Sequence, residues 1–282
     1  MKIALVHPAG FCWLSGQTTD IGALANRLAP LGLLSLSAYL EKQGHTVHVH
    51  DCMGPYKKFD HADAVVRQKP DIVGFSTTTS SFLDGYTLAG EIKKKLPHAQ
   101  IVFGGVHVSA LGGTLLEKYP LIDFLSMGEG EQTLAELANG DAPKDIAGLV
   151  YRDAEAIRTN PPRMHLPDLD SLPFPDYSKL YGFPKRYNLP LFSYINTPGA
   201  TMITSRGCPY QCTYCDRSVF GKGFRYNSAQ YMYEHFKHLR RQFGVRHVNI
   251  YDDLFDSFCI DAMSLIDVKI QFKIYVFHSV TK

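Results

Sequence analysis

Five short apolar runs, each followed by an amphipathic stretch, limit the folds open to this chain. The runs are Ile3-Ala4-Leu5-Val6, Thr46 to Asp51, Asp71 to Ser76, Ile101-Val102-Phe103 and Ile122 to Leu125. Most are apolar at consecutive positions, as strands buried on both faces are. Between them, Leu33, Leu34, Ala38 and Leu40 line one side of a helix entered at Pro30 and stopped at Gly44, since proline suits a first turn and glycine an exit. Phe82, Tyr86, Ala89, Ile92 and Leu96 recur at helical spacing, Ala110, Leu111, Leu115 and Tyr119 define another helix, and a last one lies near Gln132 to Ala138. The pattern predicts an α/β fold, a doubly wound parallel five-stranded sheet, whose ligands bind beyond the carboxyl ends of the strands where the winding reverses.

The loops at those ends are His7 to Gly10, Asp51 to Gly54, Ser76 to Ser81, Gly104 to His107 and Gly128 to Glu131. Glycines and small hydroxyl residues let a backbone approach a large ligand and hydrogen-bond it. The same residues also serve as plain turns and helix caps, and a single loop does not choose between the two.

Cys208, Cys212 and Cys215 stand within Gly207 to Asp216, separated by three and then two residues. Helical arithmetic would put them on one face, but Gly207 and Pro209 oppose a helix there, so the stretch reads as a loop around a metal centre. Three thiolates fill three corners of a four-iron cluster and leave one iron open, whereas structural zinc takes four protein ligands. A zinc site with a remote fourth ligand and three reduced thiols without metal are the alternatives. The other cysteines, Cys12, Cys52 and Cys259, are scattered, unlike a secreted disulfide framework. A reducing cytoplasmic setting is expected, because no eighteen-residue apolar run and no signal-like start is present. A net charge of +2 offers no large field for nucleic acid or an anionic membrane.

The order Cys-x-x-x-Cys-x-aromatic-Cys, with Tyr214 as the aromatic, resembles the signature of the radical S-adenosylmethionine (SAM) enzymes. The resemblance implies that Cys208, Cys212 and Cys215 ligate a 4Fe-4S cluster whose open iron chelates SAM. Gly-Gly-x-His at Gly104 to His107 and Gly-Glu-Gly-Glu at Gly128 to Glu131 are similar to the flavodoxin-like cobalamin-binding domain of one class of this family. By that likeness Ser76, Thr77, Gly104, Gly105, His107, Gly128 and Glu129 hold cobalamin, and Tyr214 and one of Asp252 and Asp253 lie by SAM. Cobalamin proteins with Asp-x-His-x-x-Gly bind cobalt through its histidine, but Asp51 is followed by Cys52, Met53 and Gly54, so cobalt without a histidine lower ligand is expected. His48 and His50 read as ordinary strand residues.

The implied organisation is a cobalamin-binding domain over 1–142, a hairpin and proline-rich linker over 143–195, and the amino-terminal part of a (β/α) partial barrel over 196–282. In the last part Ser228 caps a helix carrying Met232, Phe236, Leu239 and Phe243, Gly244 ends it, and His247 to Tyr251 is a strand. Alternation from Val268 to Val276 suggests one more. A strand-helix unit takes about 30 residues, so the 76 residues from Gly207 to Lys282 hold an incomplete barrel that a second chain could complete. The expected activity is reductive cleavage of SAM to a 5'-deoxyadenosyl radical for methyl transfer to carbon of a small-molecule or peptide substrate, with an electron donor such as flavodoxin or ferredoxin. A non-catalytic fragment binding cobalamin and a cluster, or half of a split enzyme, is the alternative. Arg217 and Arg225 are polar candidates without a role.

Overall fold

The structure, a computed structural model, describes residues 1–10, 28–53, 60–154, 156–187 and 196–254, and the backbone of 274–276. The five expected strands are present as β1 (Lys2–His7), β2 (Thr46–Asp51), β3 (Ile72–Ser76), β4 (Gln100–Gly104) and β5 (Phe124–Ser126), all parallel. They lie in the order β2-β1-β3-β4-β5, so the winding reverses between β1 and β3.

Helices cover both faces: α1 (Leu31–Lys42), α2 (His61–Val66), α3 (Phe82–Lys95), α4 (Val106–Leu111), α5 (Thr114–Lys118) and α6 (Glu131–Asn139). The pleat sends alternate residues to opposite sides. Ala4, Val6, Val73, Phe75, Ile101 and Phe103 pack with α2, α3, α4 and α5, whereas Ile3, Leu5, Ile72 and Val102 pack with α1 and α6. This is why consecutive residues of one run are all apolar.

Three features differ from the sequence reading. The short α2, started by Asp60 accepting from the Asp63 amide at 3.1 Å, went unread because six residues give too little periodicity. The single helix expected after β4 is two, broken at Gly112 (φ 58°) and Gly113. The hairpin β6 (Leu149–Asp153) and β7 (Ala156–Thr159), assigned to the connector, pairs antiparallel on β5 and extends the sheet to seven strands.

A second sheet holds β8 (Gly199–Met202), β11 (His247–Ile250) and β12 (Ile274–Val276), parallel in the order β12-β11-β8. The rest of the alternation from Val268 lies outside the described residues. Between β8 and β11 come the two-stranded β9 (Ser205–Arg206) and β10 (Arg225–Tyr226) and helix α7 (Ala229–Phe243). Ser228 accepts from the Tyr231 amide at 3.1 Å, and Gly244 leaves α7 at φ 66°, as expected. Buried Met232, Phe236 and Leu239 of α7 face Met202, Val248 and Ile250.

This second core also takes Tyr177, Leu180 and Tyr187 of the proline-rich segment and Leu34 of α1. Tyr177 is fully buried and its hydroxyl donates to the Thr201 carbonyl at 2.9 Å. Its described residues carry 3-10 turns at Leu169–Ser171 and Tyr177–Lys179, and they pack between the sheets rather than spacing them apart. Among the described residues no helix is long and apolar enough to cross a membrane.

Candidate functional site

A half-open cavity of about 150 Å³ lies at the carboxyl ends of β1, β3, β4 and β5. Its sheet side is formed by Ser76, Gly104, Gly105, Ser126, Gly128, Glu129 and Gly130, and Leu33, Leu36 and Leu134 supply apolar walls from α1 and α6. Arg206, Val219 and Phe220, which flank or belong to the cysteine loop, close the far side.

Gly105 shows why glycine is required here. Its φ is +96°, and a Cβ would stand 2.6 Å from the Thr77 carbonyl oxygen and 2.8 Å from its nitrogen. The two loops are tied together: the Thr77 amide donates to Gly104 O at 2.9 Å, and the His107 amide donates to Thr77 O at 3.3 Å. Thr77 therefore lies behind the wall, 1% exposed, and does not line the cavity. His107 is also outside it, with Nδ1 3.1 Å from Thr79 Oγ1 and its ring against Phe82. Partial burial lowers the His107 pKa.

The walls are mainly apolar, with a few polar groups that a ligand could meet. Ser126 Oγ is buried there without a hydrogen-bond partner among the described residues, and a buried hydroxyl ordinarily has one. The named walls carry no histidine. Asp51, where the comparison with Asp-x-His-x-x-Gly was drawn, ends the edge strand away from the cavity. Its carboxylate faces His7 Nδ1 at 2.9 Å and accepts from the Tyr187 hydroxyl at 3.0 Å.

Glu129 is more than a wall. Arg225 donates to it through both terminal nitrogens, at 2.6 and 3.1 Å, the Leu166 amide donates at 3.2 Å, and Arg206 pairs with it at 3.3 Å. Arg206 also donates to Glu131 at 2.6 Å. Burial pushes the Glu129 carboxyl up, but Arg225 and Arg206 outweigh it and hold the group below the usual carboxylate range. Arg225, without a role in the sequence reading, thus joins the β5–α6 loop to β10, and Arg206 joins it to β9. Arg217 instead donates to the Tyr210 carbonyl within the cysteine loop.

The cysteine loop runs from β9 to β10, whose antiparallel pairing of Arg206 with Arg225 brings its ends together. Gly207 begins it at φ +83°, where a Cβ would meet Gly223 O at 1.9 Å. Cys208 is half-buried, Cys212 and Cys215 are exposed, and all three are free thiols. The Cys215 amide donates to Cys212 O at 3.2 Å, a turn and not a helix. A four-iron cube holds its thiolates at separate corners, so the donor set suits it. Tyr214 is 79% exposed between the last two cysteines.

Asp252, at the end of β11, accepts from the Thr204 amide at 2.6 Å, the Thr204 hydroxyl and the Ser205 amide at 3.1 Å. Burial raises its pKa against these hydrogen bonds. It braces the segment entering β9, while Asp253 is exposed. Wall residues that sequence reasoning missed include Ser126, Arg206 and Phe220. Position at a strand end signals the first, but no local pattern marks the others.

Residues 18–138 match the family described as B12 binding domain. An uncharacterised methyltransferase of Pyrococcus horikoshii is 32% identical over 281 residues, covering 97% of this chain and 57% of that protein. An anaerobic magnesium-protoporphyrin IX monomethyl ester cyclase of Synechocystis is 31% identical over 235 residues, 80% of this chain and 46% of that protein. The chain thus spans about half the length of these curated relatives. The solved structure of the cobalamin-dependent S-adenosylmethionine radical enzyme OxsB, with aqua-cobalamin and S-adenosylmethionine bound, superposes with a TM-score of 0.72. That match has 19% identity and covers 98% of this chain and 38% of OxsB; it is a likeness of fold.

Proposed function

We propose that the chain, with its B12 binding domain over residues 18–138 and its likeness to a methyltransferase of Pyrococcus horikoshii, is of the cobalamin-binding class of the radical S-adenosylmethionine enzymes, and that it binds cobalamin in the glycine-walled cavity and a 4Fe-4S cluster on Cys208, Cys212 and Cys215. The activity proposed is methyl transfer to a substrate carbon. The observation that carries this reading is the shared wall: Arg206 and Phe220, at the root and end of the cysteine loop, close the cavity formed by Gly104, Gly105 and Gly128. One rigid clamp, Glu129 with Arg206 and Arg225, then sets the position of both sites.

When bound, the cluster supplies the electron that cleaves SAM, and cobalamin carries the methyl group. The chain's own residues hold and orient. Glycines 104, 105 and 128 admit the ring, Ser76 and Ser126 offer hydroxyls to its polar edge, and Leu33, Leu36 and Leu134 exclude water. Tyr214 and the Asp252–Asp253 strand end are the residues proposed to lie by SAM, with Asp252 also bracing the loop. The proposed setting is the cytoplasm, with a one-electron donor of the flavodoxin or ferredoxin kind. The cyclase relative supports ring formation as the second reading.

The test is anaerobic reconstitution of the full chain with iron, sulfide and hydroxocobalamin. One brown cluster and one cobalamin per chain are expected, with 5'-deoxyadenosine released from SAM on reduction. Changing Cys208, Cys212 and Cys215 together to alanine should remove the cluster and leave cobalamin bound. A cluster that forms without cleaving SAM would refute catalysis by this chain alone. Zinc retained on the three cysteines in place of iron would refute the whole reading.

A further inference from the structure

His50 and Cys52 lie two residues apart along β2, which continues through the Cys52 amide donating to His7 O at 2.9 Å. The period of a strand sends both side chains to one face and Asp51 to the other, where it meets Tyr187. On the face of His50 and Cys52 sits α2, whose first residue is His61. His61 Nδ1 is 2.9 Å from His50 Nε2, and these nitrogens and the Cys52 sulfur all lie within 4.8 Å of one another. Among the described residues this is the one group of three or more metal-ligating side chains so gathered. None of the three lines the glycine-walled cavity.

We propose that His50, Cys52 and His61 form a second metal site, which takes one zinc(II)-class ion. Two imidazoles and a thiolate are the donors that suit zinc, and neither magnesium nor calcium selects them. Zinc–nitrogen bonds of about 2.0 Å and a zinc–sulfur bond of about 2.3 Å put tetrahedral ligand atoms about 3.3 to 3.6 Å apart. The nitrogens must part by a few tenths of an ångström, and the sulfur, within 4.8 Å of them, need approach by no more than about 1.3 Å to reach that spacing, within the reach of side-chain rotation. All three residues are half-buried. Cys52 and His61 line an open cleft whose walls also carry Asp60, Asp84 and Glu91 against Lys94 and Lys95. Lys95 is paired with Asp60 at 3.3 Å and Asp63 at 2.6 Å. The cleft is the entry path, and a water or carboxylate from it completes four-coordination. The ion would pin α2 to the edge strand, independently of the cobalamin and cluster reading.

The test uses the full chain with Cys208, Cys212 and Cys215 changed to alanine, titrated with cobalt(II) as a spectroscopic substitute for zinc. One equivalent should bind with tetrahedral absorption and a thiolate-to-cobalt charge-transfer band, and zinc should displace it and raise the thermal midpoint. Cys52→Ser should abolish the charge-transfer band, and His61→Gln should weaken binding by roughly tenfold or more. If Cys52→Ser does not fold by circular dichroism, His61→Gln at the start of α2 decides alone. No tetrahedral cobalt, or a band untouched by the variants that fold, overturns the proposal.

Discussion

Gly105 concentrates the demands of the cavity in one position. A side chain there meets the Thr77 backbone at under 3 Å and must also adopt φ +96°. Positive φ alone costs a non-glycine residue about 1–2 kcal/mol, and backbone atoms cannot swing aside. Gly105→Ala should therefore lower stability by about 2 kcal/mol or more in urea unfolding, and weaken hydroxocobalamin binding as the Thr77 and Gly104 loops part. Unchanged stability and binding would show that the loops are not locked. Gly104, Gly105 and the three cysteines were legible in the sequence because backbone freedom and thiolate chemistry belong to the residue type. Thr77 and His107 share the motif but lie outside the cavity wall, since which way a loop residue turns depends on its neighbours.

The elements meet at Glu129. Its partner Arg225 is 96 positions away in sequence, and no periodicity or motif announces such a pairing. Removing one member of a buried ion pair leaves the others uncompensated, at a cost of about 3–5 kcal/mol. Arg206 keeps Glu131, so Glu129→Ala should cost about 3 kcal/mol in urea unfolding and speed tryptic cleavage at Arg217 and Lys222 in the cysteine loop. A loss under about 1 kcal/mol, with cleavage unchanged, would mean that the clamp does not hold the loop. Helix α7 was legible from end to end, because Ser228, the apolar stripe and Gly244 are all local signals. The place of the hairpin was not, since an edge strand joins whichever sheet offers unpaired backbone.

The two sheets form one body through the proline-rich segment, and its packing carries a pH dependence. His235 of α7 is 1% exposed, stacks on Phe174 at 4.7 Å, and has neither ring nitrogen hydrogen-bonded among the described residues. Burial first, and the charge of His238 second, lower its pKa from 6.5 to about 3. Between those values the unfolded chain binds a proton that the folded chain refuses, so stability falls as pH falls. At pH 5 this amounts to about 2 kcal/mol, from ~1.4 kcal/mol per unit of pH. His235→Leu should shrink the stability difference between pH 7.5 and pH 5 by about that amount in urea unfolding of the cofactor-free chain. An unaltered difference would place the acid sensitivity elsewhere. Strand identity, the parallel sheet and the cysteine loop were present in the residue order, because each rests on spacing or side-chain chemistry within a few positions; the cofactor class was only implied by the family resemblance. Closure of the cavity by Arg206 and Phe220, burial of Tyr177 between the sheets, and the meeting of His50 with Cys52 and His61 across β2 and α2 came with folding. Contacts between distant segments are selected by how whole faces pack and pair their charges, and a local pattern holds no record of that.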